Sequence, residues 1–137
     1  MHILSKHINK IKTIFNKNSV VFAYLFGSQA TKNTGKLSDI DIAVFFSEKI
    51  DKDKRFDKKL RIMAELSLLL KRDDIDVVVL NDAYPLLEHR IVKSGVVIFS
   101  RDEKKRLDYE LKAIMGYLDF KPFIDKYTKE TLSVYGR

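Results

Sequence analysis

Two short groups of residues in this chain have side chains and spacing suited to phosphate chemistry. Gly27-Ser28 closes one apolar run, ten residues intervene, and Asp39-Ile40-Asp41 opens the next. On an extended strand alternate side chains share a face, so Asp39 and Asp41 would project together, roughly 7 Å apart. That spacing lets both carboxylates reach one divalent cation or bridge two ions about 4 Å apart. Gly27 allows close backbone approach, and the Ser28 hydroxyl with free amides could bind phosphate oxygens. A phosphate cradle beside an acidic platform suits phosphoryl or nucleotidyl transfer, where the reacting charge must be held and neutralised.

A third acid is available in Asp74-Ile75-Asp76-Val77-Val78-Val79-Leu80. Asp76 lies inside this apolar run, whereas Asp73 and Asp74 stand at its start and are expected to be exposed. If the two runs are neighbouring strands, Asp76 completes a cluster with Asp39 and Asp41. Oxygen-only ligation favours magnesium, with manganese possible, over zinc. The chain has no Gly-Lys-Ser/Thr step, which excludes a P-loop ATPase. It has no cysteine, and its three histidines, His2, His7 and His89, show no metal spacing.

The elements that would position these groups follow from periodicity. Apolar residues from Ile3 to Phe15 recur at three- and four-residue intervals, predicting a helix over 3–16. Val20 to Phe26 is β-branched and aromatic, hence a buried strand that ends at Gly27. Residues 28–33 are expected to start a short helix followed by a loop through Gly35, and residues 39–46 to form the second strand. A helix over 53–70 would bury Phe56, Leu60, Met63, Leu66 and Leu70. Residues 74–80 form a third strand, with Val77 to Leu80 expected to be buried on both faces. A helix over 84–93 has Pro85 in its first turn and Gly95 just past its end. Val96 to Ser100 is a short fourth strand. From Asp102 the spacing of Leu107, Leu111, Ile114 and Leu118 gives a long helix, with a break or kink expected near Pro122. Strands alternating with helices predict an α/β fold: a mixed sheet of about four strands flanked by helices, with a long C-terminal helical segment.

The bulk properties agree. A chain of 137 residues fits one domain with a single core, here about 20–100, followed by a helical tail over about 102–137. Its longest apolar run is far too short to cross a bilayer, and no signal peptide is visible, so a cytoplasmic location and no membrane association are expected. The net charge of +7 suits anionic partners. The densest charged stretch, Asp51 to Arg61, mixes both signs and reads as a solvated helix face, so direct nucleic-acid binding is not expected.

Gly27, Ser28, Asp39, Asp41 and Asp76 together resemble the hallmark of the nucleotidyltransferase superfamily related to DNA polymerase β: Gly-Ser, a spacer, Asp-x-Asp and a later aspartate. The short length looks like the minimal nucleotidyltransferases. The Tyr117-Leu118-Asp119-Phe120-Lys121-Pro122-Phe123 segment is similar to the tail of antitoxins in type VII toxin–antitoxin pairs. The resemblance implies transfer of AMP from ATP to a tyrosine of a partner HEPN-domain ribonuclease, silencing that toxin. It also implies two metal ions held by Asp39, Asp41 and Asp76, with Asp76 helping to activate the acceptor hydroxyl. Gly27 and Ser28 would hold the triphosphate. Where relatives often carry Arg and Gly after Gly-Ser, this chain has Gln29, Thr31 and Lys32, and Lys32 could supply a compensating charge.

Two rival functions are compatible with the same residues. One is a small-molecule or RNA nucleotidyltransferase; the other is a non-enzymatic antitoxin that masks its partner. The apolar residues Phe120, Phe123, Ile124, Tyr127, Leu132, Val134 and Tyr135 are numerous for a chain end. They would serve either to dock a partner or to pack on the domain's own sheet.

Overall fold

The computed structural model describes residues 2–27 and 39–135. The expected short helix over 28–33, and Ser28, Gln29, Thr31 and Lys32 with it, lie outside the described residues.

The chain runs α1 (His2–Ser5), α2 (Ile8–Lys17), β1 (Val20–Phe26), β2 (Ile40–Phe46), α3 (Lys52–Leu70), β3 (Ile75–Val79), a 3₁₀ turn (Leu80–Asp82), α4 (Pro85–Ser94), β4 (Val96–Ser100) and α5 (Glu103–Tyr135). The four strands form one sheet in the order β3-β2-β1-β4. β1 pairs antiparallel with both β2 and β4, while β2 and β3 run parallel, joined by the α3 crossover. The expected mixed sheet is therefore present.

Side-chain alternation divides the core in two. Ile40, Ile42, Val44 and Phe46 of β2 pack with Ile11 and Phe15 of α2 and with Ile62 and Leu66 of α3. Ala43 and Phe45 face the other way, into a cluster with Phe22, Tyr24, Leu80 and Ile91 that Tyr109 of α5 packs against. Helices thus cover both faces of the sheet. Tyr24 donates to Glu110 at 2.6 Å, and Tyr109 donates to Glu88 at 2.6 Å, fastening α5 to the sheet and to α4. His89 of α4 stacks on Tyr117 of α5 with ring centroids 3.7 Å apart. The 3₁₀ turn is clasped to β2 by Asn81, whose side chain accepts from the Phe46 amide at 2.9 Å and donates to its carbonyl at 3.1 Å.

Four details depart from the pattern-based reading. The first helix divides at Lys6-His7, where His7 at φ −118° and ψ 19° leaves helical geometry and its carbonyl starts the second piece. On α3 the buried stripe is Ile62, Leu66 and Leu70, whereas Phe56 and Leu60 stay 57% and 48% exposed. At 3.6 residues per turn these two lie about 80° and 120° round the helix from Leu66, too far to reach the sheet. The third strand is an edge strand, so Val78 and Val79 are half-buried rather than enclosed on both faces. Finally, α5 continues through Pro122 without a break. A proline removes one amide donor and strains one turn, and the turns on either side can carry the helix across it. On this helix Leu107, Leu111, Ile114 and Leu118 are largely exposed. The tail side chains from Phe120 through Tyr135 named above lie outside the described residues.

Candidate active site

The parallel pairing of β2 with β3 places Asp41 directly opposite Asp76, and the antiparallel pairing of β1 with β2 sets Phe26 opposite Asp41. Asp41 therefore sits between the end of β1 and the start of β3. Asp39 stands one residue before β2, on the same face by alternation. That face is the one shared with Ala43 and Phe45, toward α4 and α5. The strand adjacency on which Asp76's membership depended is thus present. Asp39 and Asp76 are exposed, and Asp41 is half-buried.

Gly27 leaves β1 with φ +74°, a left-handed conformation that glycine adopts without cost. A Cβ at this position would collide with the Asp41 carboxylate, whose Cγ would lie 3.3 Å away. The glycine thus serves two ends: it turns the chain, and it clears the space in which the Asp41 carboxylate lies. Ser28, its expected partner in phosphate binding, lies outside the described residues.

The acids affect one another. Burial, then the charges of Asp76 and Asp39, raise the Asp41 pKa above the usual carboxylate range. Burial is the larger cause, and a cation beside Asp41 would offset the part that the two carboxylate charges contribute; the donors available are all oxygen. Among the described residues no three acidic or histidine side chains already stand at metal-ligand spacing. The three aspartates share one end of the sheet but keep apart, as like charges do.

Sequence reasoning missed Arg72. It follows Lys71, which ends α3 in a left-handed conformation at φ 55°. Its guanidinium holds the Asp74 carboxylate through a fork of two contacts, one of them 2.8 Å from Nε. This pairing keeps the Asp74 pKa low, and Asp39 adds to the field at Arg72. Asp74 is consequently half-buried and neutralised, while its backbone carbonyl accepts from the Ile40 amide at 3.0 Å to begin the parallel ladder. The Arg72–Asp74 spacing of two residues is the signal that could have been read.

The chain resembles known proteins in sequence and in fold. Residues 9–104 match the family described as polymerase beta, nucleotidyltransferase. A Methanocaldococcus jannaschii protein, provisionally named protein adenylyltransferase MJ0435, is 36% identical over 94 residues, covering 66% of this chain and 96% of that protein. Among solved structures, a chain of a toxin–antitoxin complex with AMP-PNP superposes with a TM-score of 0.69 at 26% identity, covering 89% of this chain and 98% of that one. The fold is also that of a chain in the complex of tri-AMPylated Shewanella oneidensis HEPN toxin with MNT antitoxin, with a TM-score of 0.63 at 24% identity, covering 90% and 98%. With the match running over residues 9–104 and so across all four strands, this chain belongs to the polymerase beta nucleotidyltransferase family.

Proposed function

We propose that the protein is an antitoxin that transfers AMP from ATP to a tyrosine hydroxyl of a partner HEPN-domain ribonuclease and so silences it. The observation that carries this reading is the pairing of Asp41 with Asp76 across β2 and β3, beside a glycine whose missing side chain makes room for Asp41. Support for the donor and the acceptor comes from the likeness to a toxin–antitoxin complex with AMP-PNP and to a relative named for protein adenylylation.

In the proposed reaction the tyrosine oxygen attacks the α-phosphorus of ATP. A new phosphorus–oxygen bond forms, the bond to the β-phosphate bridging oxygen breaks, and pyrophosphate leaves with that electron pair. Asp76, exposed at the start of β3, takes the tyrosine proton and passes it to solvent. Gly27 and Ser28 hold the triphosphate. Asp39, Asp41 and Asp76 would hold magnesium, which when bound neutralises phosphate charge and lowers the acceptor's pKa. ATP and such a ribonuclease place the reaction in the cytoplasm; no described helix is long and apolar enough to cross a membrane.

The test is incubation of the full chain with labelled ATP and magnesium, with and without the co-expressed ribonuclease. Label on the ribonuclease, lost in Asp39→Asn with Asp41→Asn, is the expected result. No label on the ribonuclease would refute the proposal, and full protection of cells by the double variant would assign the antitoxin effect to masking.

A further inference from the structure

β3 is the edge of the sheet, and beyond it a groove of about 350 Å³ runs along Asp76, Val77, Val78 and Val79. One wall is α3, contributing Phe56, Lys52 and Lys59; the other is the start of α4, contributing Tyr84. Phe56 and Tyr84 are 57% and 81% exposed, which places two large aromatic surfaces at the rim.

The backbone at this edge has a definite polarity. Because the Ile40 amide donates to the Asp74 carbonyl, the even-numbered residues of β3 direct their peptide groups toward β2. Those of Val77 and Val79 therefore face outward into the groove. The Val79 carbonyl opens the 3₁₀ turn, and among the described residues no strand pairs with the Val77 amide and carbonyl or with the Val79 amide. An outward row of amides and carbonyls is the template on which an extended peptide adds as a further strand.

The charges in the groove are complementary to an acidic peptide. Neither Lys52 nor Lys59 forms an ion pair among the described residues, whereas Asp82, the acid at the far end, is held by Arg55 at 2.8 Å. The near end is Asp76.

We propose that the acceptor reaches the active site as an extended, acidic, tyrosine-bearing segment that pairs with the free edge of β3. This rests on the reading that the acceptor is a protein tyrosine. A strand over residues 76–79 would span about 13 Å at about 3.3 Å per residue. Residues paired across strands share a face, so a tyrosine level with Asp76 projects on the face that carries Asp41. Glutamates further along the segment would meet Lys52 and Lys59. Pairing fixes the hydroxyl by main-chain bonds, leaving sequence around it free apart from charge.

The full chain with magnesium and ATP is offered two capped octapeptides, each with one tyrosine, flanked by glutamate and valine in one and by lysine and valine in the other. AMP addition is read by mass spectrometry. The acidic peptide is expected to be modified with kcat/KM about tenfold above the basic one, consistent with two charge contacts of about fivefold or less each. Backbone N-methylation of the acidic peptide should lower kcat/KM about fivefold at one residue and leave it unchanged at the next, since only alternate amides face β3. Lys52→Glu with Lys59→Glu should reverse the charge preference while pyrophosphate release with the ribonuclease acceptor still depends on Asp76. Equal losses at both N-methyl positions, or an unaltered preference in the lysine variant, would overturn the proposal. Label on the ribonuclease but on neither peptide would overturn the edge-pairing mode and leave AMP transfer standing. Label on no acceptor would remove both.

Discussion

Substituting Gly27 by alanine tests the relation between the β1 exit and Asp41 directly. The left-handed φ of +74° costs an L-residue roughly 1–2 kcal/mol. The new methyl also meets the Asp41 carboxylate, while the Asp41 Cβ, at 3.4 Å, is in ordinary contact. Relief is therefore available by rotating the carboxylate off its rotamer, at about 0.5–1.5 kcal/mol. The sum, about 2–3 kcal/mol, should be seen in urea unfolding as a lower midpoint with an unchanged slope. Activity should suffer more, because displacing a group that positions the reacting phosphate by about 1 Å can cost on the order of 100-fold. The decisive measurement is a double-mutant cycle with Asp41→Ala. Once the carboxylate is gone, the alanine at position 27 should cost only the backbone part, leaving a coupling of about 0.5–1.5 kcal/mol. Equal penalties in both backgrounds would refute the idea that Gly27 exists to clear Asp41.

Further expectations concern stability. Asp41 has its pKa raised by burial and by the other two acids, so ionising it opposes folding. The folded state binds this proton more tightly than the unfolded one, and stability therefore falls as pH rises through the carboxylate range. Asp41→Asn should raise Tm at pH 7 in the presence of a chelator, with the gain disappearing toward pH 3; a gain of the same size at both pH values would contradict this. Asn81→Ala removes both clasp bonds to Phe46 and should cost about 2 kcal/mol in urea unfolding, and a loss below about 0.5 kcal/mol would show that water replaces them. Tyr24 and Tyr109 have their pKa values raised, first by burial and then by their bonds to Glu110 and Glu88. Their neutral forms are favoured in the fold, so the contribution is complete below the ordinary tyrosine value of 10.0 and lost as pH rises above it. Ultraviolet titration should find these two of the six tyrosines resisting ionisation until the protein unfolds.

Much of this arrangement was legible because it is local. Val20 to Phe26 and Ile40 to Phe46 are runs of β-branched and aromatic residues, and their exits are marked by Gly27 and by the polar stretch after Phe46. Pro85 opens α4 at the first turn, as its fixed φ favours, and Gly95 follows the helix where a Cβ would crowd the Ile91 carbonyl. What stayed hidden depends on contacts distant in sequence. Whether Asp76 joins the other acids turns on strand order, which periodicity does not encode. Phe56 and Leu60 look like core residues in isolation, and only the distance of the sheet from that side of α3 leaves them outside. Val78 and Val79 read as interior because β-branched runs do not distinguish an edge strand from a central one. Asn81 carries no pattern at all: it acts through Phe46, a partner 35 residues away that the folded chain brings to it.

The parallel seam between Asp41 and Asp76 makes the site discrete with respect to length changes. One extra residue between Ile75 and Asp76, with Ile75 kept opposite Ile40, would invert every later side chain of β3, sending the third carboxylate to the opposite side of the sheet and Val77 toward the acids. Two extra residues would restore its side but displace it by about 7 Å. The bend between β2 and α3, residues 47–51, can therefore lengthen without moving either aspartate, whereas β3 itself cannot.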